Sequence, residues 1–125
     1  MDSREKAIIN YLEGYNEFDV KKMVSDFDEN IIFENIQNGV VTMTLKGKNE
    51  FIQQAELAKT YFSKRTQVAR SISHNGSRAE IEIGFSAILA MDFPDGLKKG
   101  EELNLTGESI FEFASDKIIR LTDIS

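Results

Sequence analysis

The chain has 125 residues, 41% hydrophobic and 29% charged, with a formal net charge of −6. This length predicts one domain over residues 1–125 that needs neither metals nor disulfides for its core. The lack of cysteine excludes disulfides and zinc–thiolate sites, and the acidic balance argues against a nucleic-acid partner. The N-terminal stretch lacks a signal-peptide core and no run is long enough to span a membrane, so we expect a cytoplasmic protein without a membrane partner.

The first part of the chain predicts two helices. Asp2 and Glu5 have the spacing of a capping box. The apolar stripe of this first helix comprises Ile8, Tyr11, Leu12 and Tyr15. Gly14 lies inside the helix and either allows close packing or marks fraying. Asp19 predicts the N-cap of a short second helix that the polar run 28–30 ends.

A hairpin and a third helix follow. Residues 31–45 predict two strands joined at Asn38-Gly39, because this dipeptide is typical of a type I′ turn. Asn49 then predicts the N-cap of a helix over residues 50–62.

The rest of the chain predicts strands only. The predicted strands cover residues 66–73, 78–92, 103–113 and 117–124. Because helices and strands are segregated along the chain, we expect an α+β fold with an antiparallel sheet. A long sheet with helices on one face should curve around them.

The order of these elements and three phrases resemble the SnoaL-like group of the nuclear transport factor 2-like superfamily. The phrases are YLEGYNEFDVKKMVSDFDENIIFEN at residues 11–35, Gly47 with the helix after it, and FEFASDKIIRLTD at residues 111–123. The resemblance implies a cystatin-like α+β roll, in which a curved antiparallel sheet wraps around about three N-terminal helices and encloses a conical pocket. Members include polyketide cyclases, steroid isomerases, dehydratases and non-catalytic modules, so the resemblance leaves open whether this chain is an enzyme.

The resemblance also assigns residues to the two faces of the sheet. It places these residues in the pocket: Ile31, Phe33, Asn35, Gly107, Ser109, Phe111, Phe113, Ile119, Leu121 and Asp123. Tyr15 is a further candidate ligand contact. The opposite face, with Ile110, Glu112, Ile118 and Arg120, is predicted to be the outer, interface-prone side.

Asp123 is the main candidate for chemistry, because the phrase KIIRLTD resembles the end of SnoaL-like chains, where an aspartate acts as acid or base. Inside an apolar pocket, desolvation would raise its pKa toward neutrality and suit it to proton transfer. The alternative is a solvated carboxylate at a frayed strand end. The family often has a histidine and an aromatic residue before this aspartate, but here Leu121 and Thr122 precede it.

Three polar residues complete the candidate site. Tyr11 is either a proton donor, as in the related steroid isomerases, or a core tyrosine with a satisfied hydroxyl. Asn35 and Ser109 stand where those isomerases carry acids, so the usual two-acid isomerisation is not expected. Both could orient a ligand or simply support the strands through hydrogen bonds. Glu34 and His74 are predicted to face solvent, and neither a metal nor a cofactor is implied.

Three functions remain open. The first is an uncharacterised SnoaL-like domain that binds a small hydrophobic molecule. The second is a cofactor-independent cyclase, isomerase or dehydratase that uses Asp123 on a polyketide-like or cyclic substrate. The third is a non-catalytic module that forms a homodimer through the outer sheet face, where Ile110 and Ile118 are predicted to lie.

Overall fold

The computed structural model describes residues 2–125, which form three helices, one 3₁₀ turn and six strands. The helices are α1 (Ser3–Asn16), α2 (Val20–Met23) and α3 (Lys48–Ala58), and the 3₁₀ turn is Lys59–Tyr61. The strands are β1 (Phe27–Gln37), β2 (Val40–Lys46), β3 (Phe62–Asn75), β4 (Arg78–Leu89), β5 (Glu102–Ala114) and β6 (Lys117–Ile124). The predicted α+β class is confirmed.

The six strands form one sheet in the order β2-β1-β6-β5-β4-β3. Every neighbouring pair is antiparallel except β1 and β6, which run parallel, so the sheet is mixed and not purely antiparallel. This arrangement places the last strand between the first strand and β5. The end of the chain therefore lies at the centre of the sheet.

Most of the predicted helix signals are confirmed, and three boundaries are wrong. The carboxylates of Asp2 and Asp19 accept N–H bonds from Glu5 at 2.8 Å and Lys22 at 3.0 Å, respectively, and cap α1 and α2. The polar run 28–30 does not end α2 but belongs to β1, which begins at Phe27 because that ring is buried in the core. The N-cap of α3 is Gly47 and not the predicted Asn49. The helix ends at Ala58 and not at residue 62, because a 3₁₀ turn follows it and Phe62 begins β3.

Gly14 allows close packing between α1 and α2. A Cβ atom at Gly14 would lie 2.7 Å from the Met23 nitrogen and 3.0 Å from the Asp19 oxygen. Since both are backbone atoms, they cannot move aside cheaply. The packing interpretation of Gly14 is therefore the correct one.

A bulge at Ile119 reverses part of the predicted alternation in β6. Phe113 pairs with Ile118 and Glu112 pairs with Arg120, so Ile119 has no partner in β5. An extra residue of this kind moves the preceding side chains to the other face of the sheet. Ile118 is consequently 0% exposed in the core, whereas Ile119 is 37% exposed, and the predicted positions of these two residues are wrong.

The core lies between the helices and the inner face of the sheet. Tyr11 packs against Phe27, Phe51 and Phe111, with ring centroids 5.8, 6.4 and 5.6 Å away. These aromatic contacts join α1, β1, α3 and β5 into one apolar cluster. No helix within residues 2–125 is long and apolar enough to cross a membrane.

Candidate functional site

Three polar residues form a row across the central strands. Asp123 of β6 pairs with Asn35 of β1 on one side and with Ser109 of β5 on the other. The Ser109 hydroxyl donates a 2.7 Å hydrogen bond to Asp123 Oδ1. The pairing of β6 with both β1 and β5 therefore brings together three of the four polar residues that the sequence selected as candidates.

Asp123 is partly buried and is not at a frayed strand end. Two residues further on, Ser125 donates its N–H to the Ile36 carbonyl at 2.9 Å, and its carbonyl accepts the Asn38 N–H at 3.2 Å. Burial raises the pKa of Asp123 from 3.8 to about 6, while the Ser109 hydrogen bond lowers it in part. A carboxyl group with this pKa can hold or release a proton near neutral pH.

Asp123 borders a cleft with two adjoining lobes. Lobe A, of about 210 Å³, lies against α1, α3 and β1. Its apolar wall includes Phe33, Met43, Leu45, Phe51 and Ala58, and its polar groups are Asn35, Gln54, Arg65, Gln67 and Asp123. Lobe B, of about 360 Å³, is lined by Phe62, Phe85, Leu105, Gly107, Ser109 and the chain end. The two lobes share Tyr15, Asn35, Gln67 and Asp123.

Asn35 borders both lobes and also supports the neighbouring strand. Its Nδ2 donates to the Thr42 hydroxyl at 2.8 Å. Thr42 is the extra residue at a bulge, because Asn35 pairs with Met43 and Ile36 pairs with Val41. Asn35 thus supports the neighbouring strand through a hydrogen bond, which is one of the two roles predicted for it, and it also lines the cleft.

Two tyrosines of α1 lie in the wall of lobe A. Tyr11 is 5% exposed, and burial, with a smaller contribution from nearby Asp123, raises its pKa well above the usual value. Burial also raises the pKa of Tyr15, although Arg65 acts in the opposite direction. Both phenols therefore stay protonated at neutral pH.

Arg65 is the charged cleft residue that sequence reasoning missed, and the polar residues Gln54 and Gln67 were missed as well. Its side chain is buried, its Nε donates to the Tyr15 carbonyl at 2.8 Å, and its Nη2 has no hydrogen-bond partner. The guanidinium lies 3.8 Å from the centre of the Tyr15 ring and 4.6 Å from that of Phe18. The sequence prediction began this strand at residue 66, and an arginine in the polar run before it is typical of a solvated position.

The end of α1 is fastened to β3 beside Arg65. Asn16 Nδ2 donates to the Gln67 carbonyl at 3.1 Å, and Asn16 Oδ1 accepts the Gln67 N–H at 2.7 Å. These bonds hold Tyr15, the residue before Asn16, against the strand that carries Arg65 and Gln67. Hydrogen bonds to the backbone therefore fix the position of the Arg65 guanidinium relative to Tyr15.

Three predicted ligand contacts belong to the core. Phe111, Phe113 and Leu121 are 0%, 3% and 0% exposed and line neither lobe. Each lies nearer the β5–β6 turn than Ser109 and Asp123 do. Aromatic and aliphatic side chains fill this end of the roll, so the space for a ligand is confined to the opposite end. Phe33, Tyr15, Asn35 and Ser109 do line the cleft.

The outer face of the sheet also differs from the prediction. Ile110 is 8% exposed and Ile118 lies in the core, so neither offers an exposed apolar contact. Arg120 forms ion pairs there with Glu34 and, at 3.8 Å, with Glu112. His74 is exposed and lies 3.4 Å from Glu5, away from the cleft. Residues 2–125 contain no group of three His, Cys, Asp or Glu side chains arranged to hold a metal.

Comparisons with solved structures establish the fold. A candidate SnoaL-like polyketide cyclase from Jannaschia sp. CCS1 superimposes with a TM-score of 0.81 at 9% identity, covering 97% of this chain and 83% of the other. A nuclear transport factor 2-like protein of unknown function from Burkholderia pseudomallei gives 0.80 at 12% identity, covering 98% and 90%. An uncharacterised cystatin-fold protein from Novosphingobium aromaticivorans gives 0.76 at 18% identity, covering 100% and 99%.

The sequence itself matches no family model, and no curated protein matches it significantly. The chain has the cystatin-like α+β fold of the SnoaL-like and nuclear transport factor 2-like proteins, as the sequence resemblance implied. At these identities the likeness concerns the fold alone, and any argument about activity depends on the cleft.

Proposed function

We propose that this protein binds a small, largely apolar molecule in the cleft beside Asp123. The observation that carries the proposal is that the partly buried Asp123 carboxyl group, hydrogen-bonded to Ser109, borders both lobe A and lobe B. Ligand sites are typically concave and mostly apolar, with a few polar groups that orient the ligand. Lobe A fits this description, since Phe33, Met43 and Leu45 face it together with Asn35 and Asp123.

The size of lobe A limits the ligand. Its volume is about 210 Å³. A cavity of roughly 150 Å³ accommodates benzene. One substituted ring therefore fits lobe A, and a longer molecule would extend into lobe B.

Ligand-observed NMR tests the binding function. Toluene and p-cresol should receive saturation transfer from the wild-type protein. Ala58→Phe, which places a ring in lobe A, should abolish this transfer, whereas Ala114→Phe at an exposed position should retain it. Absence of transfer to the wild type, or equal transfer to a folded Ala58→Phe variant, would contradict the proposal.

Acid–base catalysis is the second candidate function, and the pKa of Asp123 near 6 favours it. In this mechanism, the Asp123 carboxylate takes a proton from a carbon next to a carbonyl of a cyclic or polyketide-like substrate and can return it elsewhere. The protonated Tyr11 and Tyr15 hydroxyls are available as donors. Such chemistry requires no cofactor, and well-placed acid–base groups contribute about 10²–10⁴-fold to a rate.

Hydrogen exchange on a model ketone tests this second function. Wild-type protein in D₂O should accelerate deuterium incorporation next to the carbonyl of 2-tetralone. Asp123→Asn should reduce the acceleration by about 10²-fold or more while circular dichroism shows the same fold. Equal rates for the two proteins would exclude Asp123 as the base for this substrate.

We further propose a homodimer through the outer sheet face, although Ile110 and Ile118 cannot contribute as predicted. Val68 of β3 is an exposed apolar residue, at 54% exposure, and pairs with Gly84 of β4. Val68→Lys should shift sedimentation from dimer to monomer, whereas Val40→Lys at the β1–β2 hairpin should not. A monomeric wild type would contradict this proposal without affecting the ligand site.

A further inference from the structure

We propose that Arg65 binds an anionic oxygen of the ligand, so that the preferred ligand is a small, ring-containing carboxylic acid. This inference rests on the proposed binding function of the cleft and specifies the chemical class of the molecule. It depends on the unpaired guanidinium, on the rings that cover it, and on the shape of lobe A.

The Arg65 guanidinium is buried without an anionic partner. The residue is 2% exposed, yet within residues 2–125 no carboxylate forms an ion pair with it. Nε is satisfied by the Tyr15 carbonyl, but Nη2 is buried and unpaired. Leaving a buried donor unpaired is unfavourable, and the penalty is larger for a charged group. A ligand carboxylate would remove this penalty.

Two aromatic rings lie against the guanidinium, and neither supplies an acceptor in its plane. Tyr15 and Phe18 lie 3.8 and 4.6 Å from its central carbon. Such contacts stabilise the cation, but ring faces do not replace the in-plane oxygen acceptors that its N–H groups require. A carboxylate supplies two oxygens in that plane.

Phe18 reaches Arg65 from an uncommon backbone conformation. Its φ is 58°, a left-handed value that bulky residues rarely adopt. The residue follows the C-cap Glu17 of α1, a place where glycine is usual. Phenylalanine at this position brings a ring to the guanidinium that glycine could not provide.

Lobe A presents the cation and an apolar wall to the same space. Arg65 lines it together with Phe33, Met43, Leu45 and Phe51. An apolar ring would contact this wall while its carboxylate meets Arg65. Asp123 lines the same lobe and repels an anion when it is ionised, so Arg65 attracts a carboxylate most effectively below pH 6, where Asp123 is mostly protonated.

Calorimetry with two probes of nearly equal shape tests the inference. At pH 5.5, where Asp123 is mostly protonated, trans-cinnamate should bind the wild-type chain at least about tenfold more tightly than cinnamamide. Arg65→Gln should bring the two affinities to within about threefold of each other. Arg70→Gln, which changes an exposed arginine of the same strand, should keep the wild-type preference.

The outcomes separate this inference from the binding function. Cinnamamide binding as tightly as cinnamate to the wild type would overturn the carboxylate preference but leave small-molecule binding intact. If neither probe binds and toluene and p-cresol also show no transfer, both proposals fail. If Arg65→Gln does not fold, Arg65→Lys keeps the charge without the planar fork. An undiminished preference in Arg65→Lys would then overturn the role of the guanidinium.

Discussion

Ser109 donates its hydroxyl hydrogen to Asp123 Oδ1 at 2.7 Å across the β5–β6 ladder. This bond favours the ionised form of Asp123 and acts against the effect of burial. The balance of the two effects leaves the pKa of Asp123 at about 6. The properties of the candidate acid–base group therefore depend on its neighbour in the next strand.

Ser109→Ala should raise the pKa of Asp123 above 6, because the variant loses the hydrogen bond to the carboxylate and keeps the burial. Carbon-detected NMR titration of the Asp123 carboxyl group measures this change directly. Ser71→Ala, at an exposed serine of β3, is the matched control and should leave the titration unchanged. A lower pKa in Ser109→Ala would contradict the assigned cause.

Asp123→Asn should stabilise the protein at neutral pH. Because the folded pKa of about 6 lies above the unfolded value of 3.8, the stability associated with protonated Asp123 is present below pH 3.8 and is lost as the pH rises to about 6. A shift of this size corresponds to roughly 3 kcal/mol. In urea unfolding, the free energy of unfolding of the variant minus that of the wild type should increase between pH 4 and 6.5. Above pH 6.5 this difference should stay constant. A constant difference at all pH values would show that Asp123 titrates normally.

Gly14→Ala should destabilise the fold, since the new Cβ would meet the backbone of the α1–α2 junction at 2.7 Å. The expected loss is about 1–3 kcal/mol, even though alanine is the better helix former. Chemical denaturation measures the loss, and Lys6→Ala on the exposed side of α1 is the control. A stabilised Gly14→Ala variant would mean that the two helices can separate without cost.

Ile118→Ala and Ile119→Ala form a matched pair that tests the bulge in β6. Ile118→Ala should reduce the free energy of unfolding by about 2–5 kcal/mol, because it leaves a cavity in the core. Ile119→Ala should change it by only about 0.5 kcal/mol, since Ile119 is 37% exposed. Without the bulge, Ile119 would share the inner face with Asp123, and Ile119→Ala would be the more destabilising variant. Thermal or urea unfolding of both variants therefore distinguishes a bulged β6 from a regular one.

Sequence patterns were sufficient for the elements with strong local signals. Asp2 and Asp19 are caps, Asn38-Gly39 is a turn with both φ values positive, and β6 has its predicted bounds. Boundaries were missed where a core contact outweighed local preference. Phe27 joins β1 because its ring packs against Tyr11 and Phe51, although the following polar run is typical of a helix end.

The candidate site was predictable only in part. Asp123, Asn35 and Ser109 could be selected because the phrases around them resemble a known fold, and the strand order brings them together. Phe111, Phe113 and Leu121 lie on the same strands as Ser109 and Asp123, but at the end of the roll that side chains fill. The alternation of residues along a strand shows which face a side chain is on, not whether that part of the roll is filled or open. Arg65 had no sequence signal, because its burial depends on contacts with Tyr15 and Phe18 from another element.

By itself, the sequence determined the α+β class, because capping, turn chemistry and periodicity are local properties. The phrases that resemble SnoaL-like chains added the expected fold and the choice of Asp123 as the principal polar group. The tertiary structure decided the parallel pairing of β1 with β6, the bulge at Ile119 and the burial of Arg65. These features arise from contacts between residues far apart in the chain. The pKa of Asp123 belongs to the same group, since its shift comes from the walls of the cleft and from Ser109.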